Sequence, residues 1–212
     1  MVATLKSAPA YPVDPQDRMR ADHYGLLGHL FYAPPDAELL RALAESVALD
    51  AEAPEARFFE AWNALRRAAG ATTAEAVRAE YDETFIGVGK PAVMLYASYY
   101  LSGFMNDKPL VELRDQLAGH GLARRGAAEE PEDHFSGLTD VMRQLILDEC
   151  RPAAGRDAAQ EQFFSRFIAP CYGRLCDAVD GVAEAAFYRS LAGFARAFLD
   201  VEKTYFRIGQ LS

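Results

Sequence analysis

Apolar residues recur with helical spacing along almost the whole chain. Met19, His23/Tyr24, Leu27 and Leu30/Phe31 make one stripe, which stops at Pro34-Pro35 because proline cannot continue a helix. Leu39, Leu40, Leu43 and Val47 predict a second helix, and Phe58, Phe59, Trp62 and Leu65 a third that closes at Gly70. Thr73 suits an N-cap, and the helix it opens turns Val77, Tyr81 and Thr84/Phe85 inward. Gly87, Gly89 and Pro91 then break the pattern, and an apolar run resumes from Val93 to Phe104. Asn106 to Pro109 read as a turn before Leu110, Leu113 and Leu117, a helix that ends near Gly119 or Gly121. Three more helical patterns follow: Phe135, Leu138, Val141/Met142 and Leu145/Ile146; Phe163/Phe164, Phe167/Ile168, Cys171 and Leu175; and Val182, Phe187, Leu191, Phe194, Phe198 and Val201. Neither strand-type alternation nor a repeat period stands out. The pattern predicts an all-α fold, a single compact helical domain of about nine helices over residues 17–212. Residues 1–16, with Pro9, Pro12 and Pro15, read as a flexible arm.

Composition narrows the function classes. Of the 212 residues 50% are hydrophobic, enough for a packed core. A net charge of −9 argues against nucleic-acid binding, which needs a basic face, and suits either a basic partner or plain solubility. The three cysteines, Cys150, Cys171 and Cys176, imply no disulfide framework and point to a reduced compartment, the cytoplasm. No run has the length or apolarity of a membrane span or a secretory signal.

Catalytic and metal chemistry find little support. Gly87-Val88-Gly89-Lys90 lacks the spacing of a phosphate loop, Pro91 stands where a hydroxyl would hold magnesium, and no strand precedes it; a bend between helices is the simpler reading. The four histidines share no i, i+3 or i, i+4 relation, and Cys171 and Cys176 lie five apart, so no metal site is expected and the cysteines read as small buried hydrophobes. No nucleophile elbow is present. Acid–base work by Glu132, Asp133 and His134 is chemically open, but no water-excluding pocket is indicated around them. The expectation is a protein that is not an enzyme and carries no cofactor.

The segment Glu129-Glu130-Pro131-Glu132-Asp133-His134 puts four carboxylates and an imidazole at the start of the helix whose apolar face begins at Phe135. Pro131 marks a turn or helix start, and acids are stabilised near the positive end of a helix dipole. Two readings follow: an acidic edge that faces water and can take a cation, or acids that only cap a helix.

Two segments together carry a family resemblance. Tyr81-Asp82-Glu83-Thr84-Phe85-Ile86-Gly87, followed by Ser98-Tyr99-Tyr100, resembles the first signature of the TorD/DmsD family, and Glu130-Pro131-Glu132-Asp133-His134-Phe135, with Met142 further along, resembles the second. Gln162-Phe163-Phe164, Ile168-Ala169-Pro170 and Phe187-Tyr188 fit the family's tail, so the similarity runs from about Asp17 to Glu202. Leu95, where the family usually has proline, and Cys171, where tryptophan is common, depart from the pattern. The resemblance implies an all-α cytoplasmic chaperone for a molybdopterin oxidoreductase, one that binds the precursor's twin-arginine signal peptide, its apo form, or both, before export. An assembly adaptor that reads no signal peptide, as in the related nitrate-reductase chaperones, is the alternative. The resemblance places the peptide site on Pro131, Asp133 and His134, with Phe85 nearby. Which oxidoreductase is the client, and whether the chain is a monomer or a domain-swapped homodimer, stays open.

Physical chemistry sharpens that expectation. Arginine's planar fork matches carboxylates, which singles out Glu132 and Asp133. His134 is expected either to orient Asp133 or to pack against the peptide. Exposed ion pairs contribute about 0–1 kcal/mol each, whereas a micromolar complex needs about −8 kcal/mol. The remainder has to come from an apolar groove, with Phe85, Tyr96, Tyr99 or Tyr100 as its expected walls.

Overall fold

The computed structural model describes residues 11–49, 56–87, 89–103, 108–120, 122 and 130–209. Among these it contains ten α-helices: α1 (Pro15–Tyr32), α2 (Ala37–Glu45), α3 (Ala56–Gly70), α4 (Ala74–Tyr81), α5 (Ala97–Ser102), α6 (Lys108–Gly119), α7 (Phe135–Ile146), α8 (Ala153–Phe163), α9 (Tyr172–Asp180) and α10 (Ala186–Gly209). Two π-helical turns, Asp82–Ile86 and Phe164–Ile168, extend α4 and α8. The fold is all-α, as the periodicity predicts. No helix among the described residues is long and apolar enough to cross a membrane.

The caps follow from the sequence. Asp14, Asp36 and Thr73 each accept a backbone N–H in the first turn of the helix they open, satisfying a donor that has no intrahelical partner. The N-terminus of α10 is served from a distance. Glu80, on α4, accepts the backbone N–H groups of Phe187 (3.2 Å) and Tyr188 (2.6 Å), which ties α4 to the last helix.

One core joins all the layers. α1 packs chiefly on α7, α10 on α3 and α9, and α2 on α3. The largest wholly buried side chains include Tyr24, Phe31, Phe135, Phe163, Phe167, Phe187, Tyr188 and Phe194. α1 and α7 approach closely because of glycine: a Cβ on Gly28 would lie 2.9 Å from Thr139 Oγ1.

Several expectations need correction. The arm does not extend through residues 11–16: Pro15 and Gln16 are helical, Val13 is buried, and the Tyr11 N–H donates to the Glu149 carbonyl at 2.8 Å. Residues 1–10 lie outside the described residues. Met19 is exposed and its neighbour Arg20 is buried instead, because the guanidinium finds partners inside. Arg20 Nε and Nη2 reach Glu202 Oε1 and Oε2 at 2.7 and 2.8 Å, Gln160 Oε1 lies 3.0 Å from Nη2, and the Tyr24 hydroxyl donates to the same Glu202. A buried charge persists only when paired and hydrogen-bonded in this way, and no hydrophobic pattern announces it. The run from Phe163 to Leu175, expected as one helix, is the end of α8, a π turn and the start of α9. Val47 and Val201 are exposed rather than buried. Cys171 and Cys176 are buried as expected, with thiols pushed up to about 12 chiefly by burial, whereas Cys150 is exposed.

Candidate functional site

The two motif segments meet through a short backbone bridge. At Gly87 φ is +64°, and a Cβ there would lie 2.8 Å from the Lys90 carbonyl, so the chain reverses where only glycine fits. The returning segment is held by the Val93 N–H on the Thr84 carbonyl at 2.9 Å. It then pairs antiparallel with the acidic turn at Tyr96 and His134: the Phe135 N–H reaches the Leu95 carbonyl at 2.7 Å, and the Ala97 N–H the Asp133 carbonyl at 2.9 Å. Leu95 is itself buried and does its work here through its carbonyl.

Within this frame the acidic residues take separate roles. Asp133 is 2% exposed, and its Oδ2 accepts both the backbone N–H (3.1 Å) and the hydroxyl (2.5 Å) of Ser98. It thereby caps α5, whose own N-cap residue, Tyr96, supplies no side-chain bond. The expectation that Asp133 faces water is therefore corrected: its carboxylate is buried, with Oδ2 held by Ser98 and Oδ1 without a hydrogen-bond partner among the described residues. His134 is also buried and does not bond Asp133. Its Nδ1 lies 2.6 Å from Ser136 Oγ and accepts the Ser136 N–H at 3.3 Å, capping α7. Burial lowers the imidazole pKa against the pull of Glu130 and Asp133, so the ring is neutral at pH 7.

Glu130, Pro131 and Glu132 stay half-buried at the rim of a cavity of about 570 Å³. Glu132 Oε2 accepts from Arg114 Nε and Nη2 at 3.1 and 2.9 Å, and the Tyr96 hydroxyl donates to Glu130. One wall of the cavity is α1, through Gly25, Gly28, His29 and Tyr32. The opposite wall is α7, through Ser136, Gly137, Asp140, Val141 and Gln144, and Leu117 and Leu122 close one end. Among the described residues the lining thus carries three carboxylates, of Glu130, Glu132 and Asp140, the imidazoles of His29 and His134, and no lysine or arginine, although the Arg143 side chain lies over Gly25. A second, smaller cavity of about 50 Å³ adjoins it and shares Tyr32, Glu130 and His134. Among the described residues no group of side chains forms a metal site.

Phe85 sits in the π turn, 6% exposed, edge-on to Phe31 and Tyr188, and lines only the small cavity. Tyr96 lines the small cavity as well. Tyr100 is buried, its hydroxyl on the Met94 carbonyl at 2.8 Å, and it lines neither cavity; Tyr99 lines neither. Tyr100 packs in the core, and Tyr99 is half-buried against it. Sequence reasoning missed His29, Tyr32 and Asp140. The signal available was a second stripe beside each buried face, Gly25/Gly28/His29/Tyr32 on α1 and Gly137/Asp140/Val141/Gln144 on α7, both at helical spacing.

A family model described as "Nitrate reductase delta subunit" matches residues 51–177, which include both motif segments and α7. The chain belongs to this TorD-like family. Among curated relatives, the "Chaperone protein TorD" of Aliivibrio salmonicida is 29% identical over 134 residues, 58% of this chain and 61% of that protein. Those of Photobacterium profundum and of Vibrio cholerae (strain N16961) are 28% identical over 138 residues and 26% over 134; the matches take in 60% and 59% of this chain, and 62% and 60% of those proteins. The similarity thus spans about three fifths of the relatives' length. In this TorD-like chain the family model covers the acidic turn and α7 but leaves out α1, which supplies the other wall of the groove.

Proposed function

We propose that this protein is a cytoplasmic chaperone for a molybdopterin oxidoreductase, binding the precursor's twin-arginine signal peptide, its apo form, or both, before export. The observation that carries this reading is the groove between α1 and α7: among the described residues three carboxylates and no lysine or arginine line it, and the Glu130–His134 turn forms its rim. A cationic, partly apolar peptide is the complement of such a surface. The relatives named as TorD chaperones support the same reading. In this account Glu130, Glu132 and Asp140 receive the arginines, while Pro131, Asp133 and His134 hold the turn in shape.

The test is calorimetric titration of the full chain with twin-arginine signal peptides and with copies in which both arginines are lysine. Weaker binding of the lysine copies, and a further loss in Glu132→Gln/Asp140→Asn, is the expected result. The description of the matched family as a nitrate reductase subunit favours one alternative, a helical adaptor that holds a folded subunit without reading a signal peptide. That reading predicts client binding that survives removal of the arginine pair.

A further inference from the structure

The groove changes character along its length. At one end stands the acidic turn, where the Tyr32 and His134 rings lie 6.4 Å apart. From Tyr32 back to Gly25 the axis of α1 runs about 10 Å, at about 1.5 Å per residue, and there the Arg143 side chain of α7 lies over α1. A Cβ on Gly25 would lie 3.1 Å from both Cδ and Nε of Arg143 and 4.0 Å from Cζ, so the guanidinium itself rests on the glycine together with its stem. The bare backbone of Gly25, a residue that lines the groove, makes room for this head.

Arg143 is half-buried, and among the described residues nothing forms an ion pair or a hydrogen bond with its guanidinium. Asp140, one turn earlier on α7, leaves it unpaired as well. The other half-buried arginines among the described residues all have partners. Arg66 donates to Ser46 and to the Ala44 carbonyl, Arg151 pairs with Asp148, and Arg196 pairs with Asp177. A guanidinium partly removed from water with its N–H groups unused favours an anion that completes it.

We propose that Arg143 is an anion-recognition residue, which takes a carboxylate side chain of the peptide whose arginines lie at the acidic turn. This rests on the signal-peptide reading above and adds to it a second charge of opposite sign, which fixes the direction of the peptide along the groove. Arginine's planar fork gives a carboxylate two parallel N–H bonds, which no backbone carbonyl can match. An extended peptide rises about 3.3 Å per residue, so the two ends of the groove are about three residues apart. A carboxylate placed elsewhere along the groove meets Glu130, Glu132 or Asp140 and is repelled. An acid is therefore favoured at Arg143 and penalised at every other position.

The experiment titrates the full-length chain with amidated synthetic peptides that share one arginine pair and carry glutamate or glutamine three residues before it or three residues after it. In one of the two placements the glutamate peptide is expected to bind about three- to fivefold more tightly than its glutamine twin, the gain from one partly exposed ion pair. In the other placement it should bind more weakly. Arg143→Gln should abolish the gain, and Arg143→Glu should reverse it, so that lysine at the favoured place binds more tightly than glutamate. Each variant is read as the ratio between twins, so a loss of folded protein common to both cancels. If glutamate brings no gain in either placement while arginine-to-lysine copies still bind less, the anion site is wrong and the signal-peptide reading stands. A gain that survives Arg143→Gln also overturns the anion site. No binding by any arginine-pair peptide overturns both.

Discussion

Asp133 and Ser98, thirty-five positions apart, form the joint between the two motif segments: one carboxylate oxygen accepts both the backbone N–H and the hydroxyl of the serine in a buried site. The residue that stands among rim carboxylates in the sequence thus acts as a helix cap. Asp133→Ala should lower stability by about 2–3 kcal/mol, the loss of charge-assisted hydrogen bonds. Ser98→Ala should cost less, and the double variant should fall well short of the sum, because both remove the same interaction. Urea unfolding of the four proteins checks this; additive losses would mean that the two residues act independently. Peptide binding lost in Asp133→Ala is then a folding effect, so Glu132 and Asp140 are the better probes of recognition.

Arg114 already pairs with Glu132, one of the carboxylates the proposed function assigns to a ligand arginine. Removing it takes one competing guanidinium away from the groove's rim. Arg114→Gln should therefore tighten binding of an arginine-pair peptide about two- to fivefold, the range typical of one exposed ion pair. Binding unchanged or weakened in a titration at low salt would show that Glu132 takes no part.

Two glycines set the distance between groove and scaffold. A Cβ on Gly137 would lie 2.9 Å from the Glu132 carbonyl, and one on Gly28 would lie 2.9 Å from Thr139 Oγ1. Gly28→Ala should destabilise by about 1–3 kcal/mol, since the helix pair must separate. Gly137→Ala presses on the acidic turn itself and should reduce peptide affinity more than it lowers the melting temperature. Thermal melts and titrations on the two variants separate these effects.

The buried imidazole makes both stability and binding sensitive to acid. His134 has a pKa below its ordinary 6.5, chiefly from burial, so the unfolded chain binds its proton first as pH falls. The stability this histidine confers is complete above about pH 6.5 and drains away as pH falls from there toward its lowered native value. His134→Asn, which keeps a capping side chain, should flatten that part of the stability curve. Affinity for an arginine-pair peptide should hold from pH 8 to about 6.5 and weaken only below, where a protonated ring faces the same groove. A loss of affinity between pH 8 and 7 would assign the effect to another group.

Helix positions were legible in the sequence because burying an apolar stripe needs only local spacing. Leu27, Leu30, Phe31, Leu138, Met142 and Leu145 lie where their period puts them, and Thr73 caps where its position predicts. The motif turn at Pro131–His134 was legible too, as was the bend at Gly87, which only glycine's freedom allows. Which of the acids line the groove was not, because that depends on what each meets across the fold. Asp133 meets Ser98 and is buried, Glu132 meets Arg114, and Asp140 has the α1 wall opposite it across the groove. Arg20 is the same lesson in the core: nothing in its neighbourhood along the chain marks it as buried, and Glu202, on the last helix, decides it. The sequence alone determined an all-α chain with an acidic turn at the head of a helix. The packing of α1 on α7 decided that this turn rims a groove, because partners far apart along the chain choose which polar side chains are satisfied inside and which are left at the groove's edge.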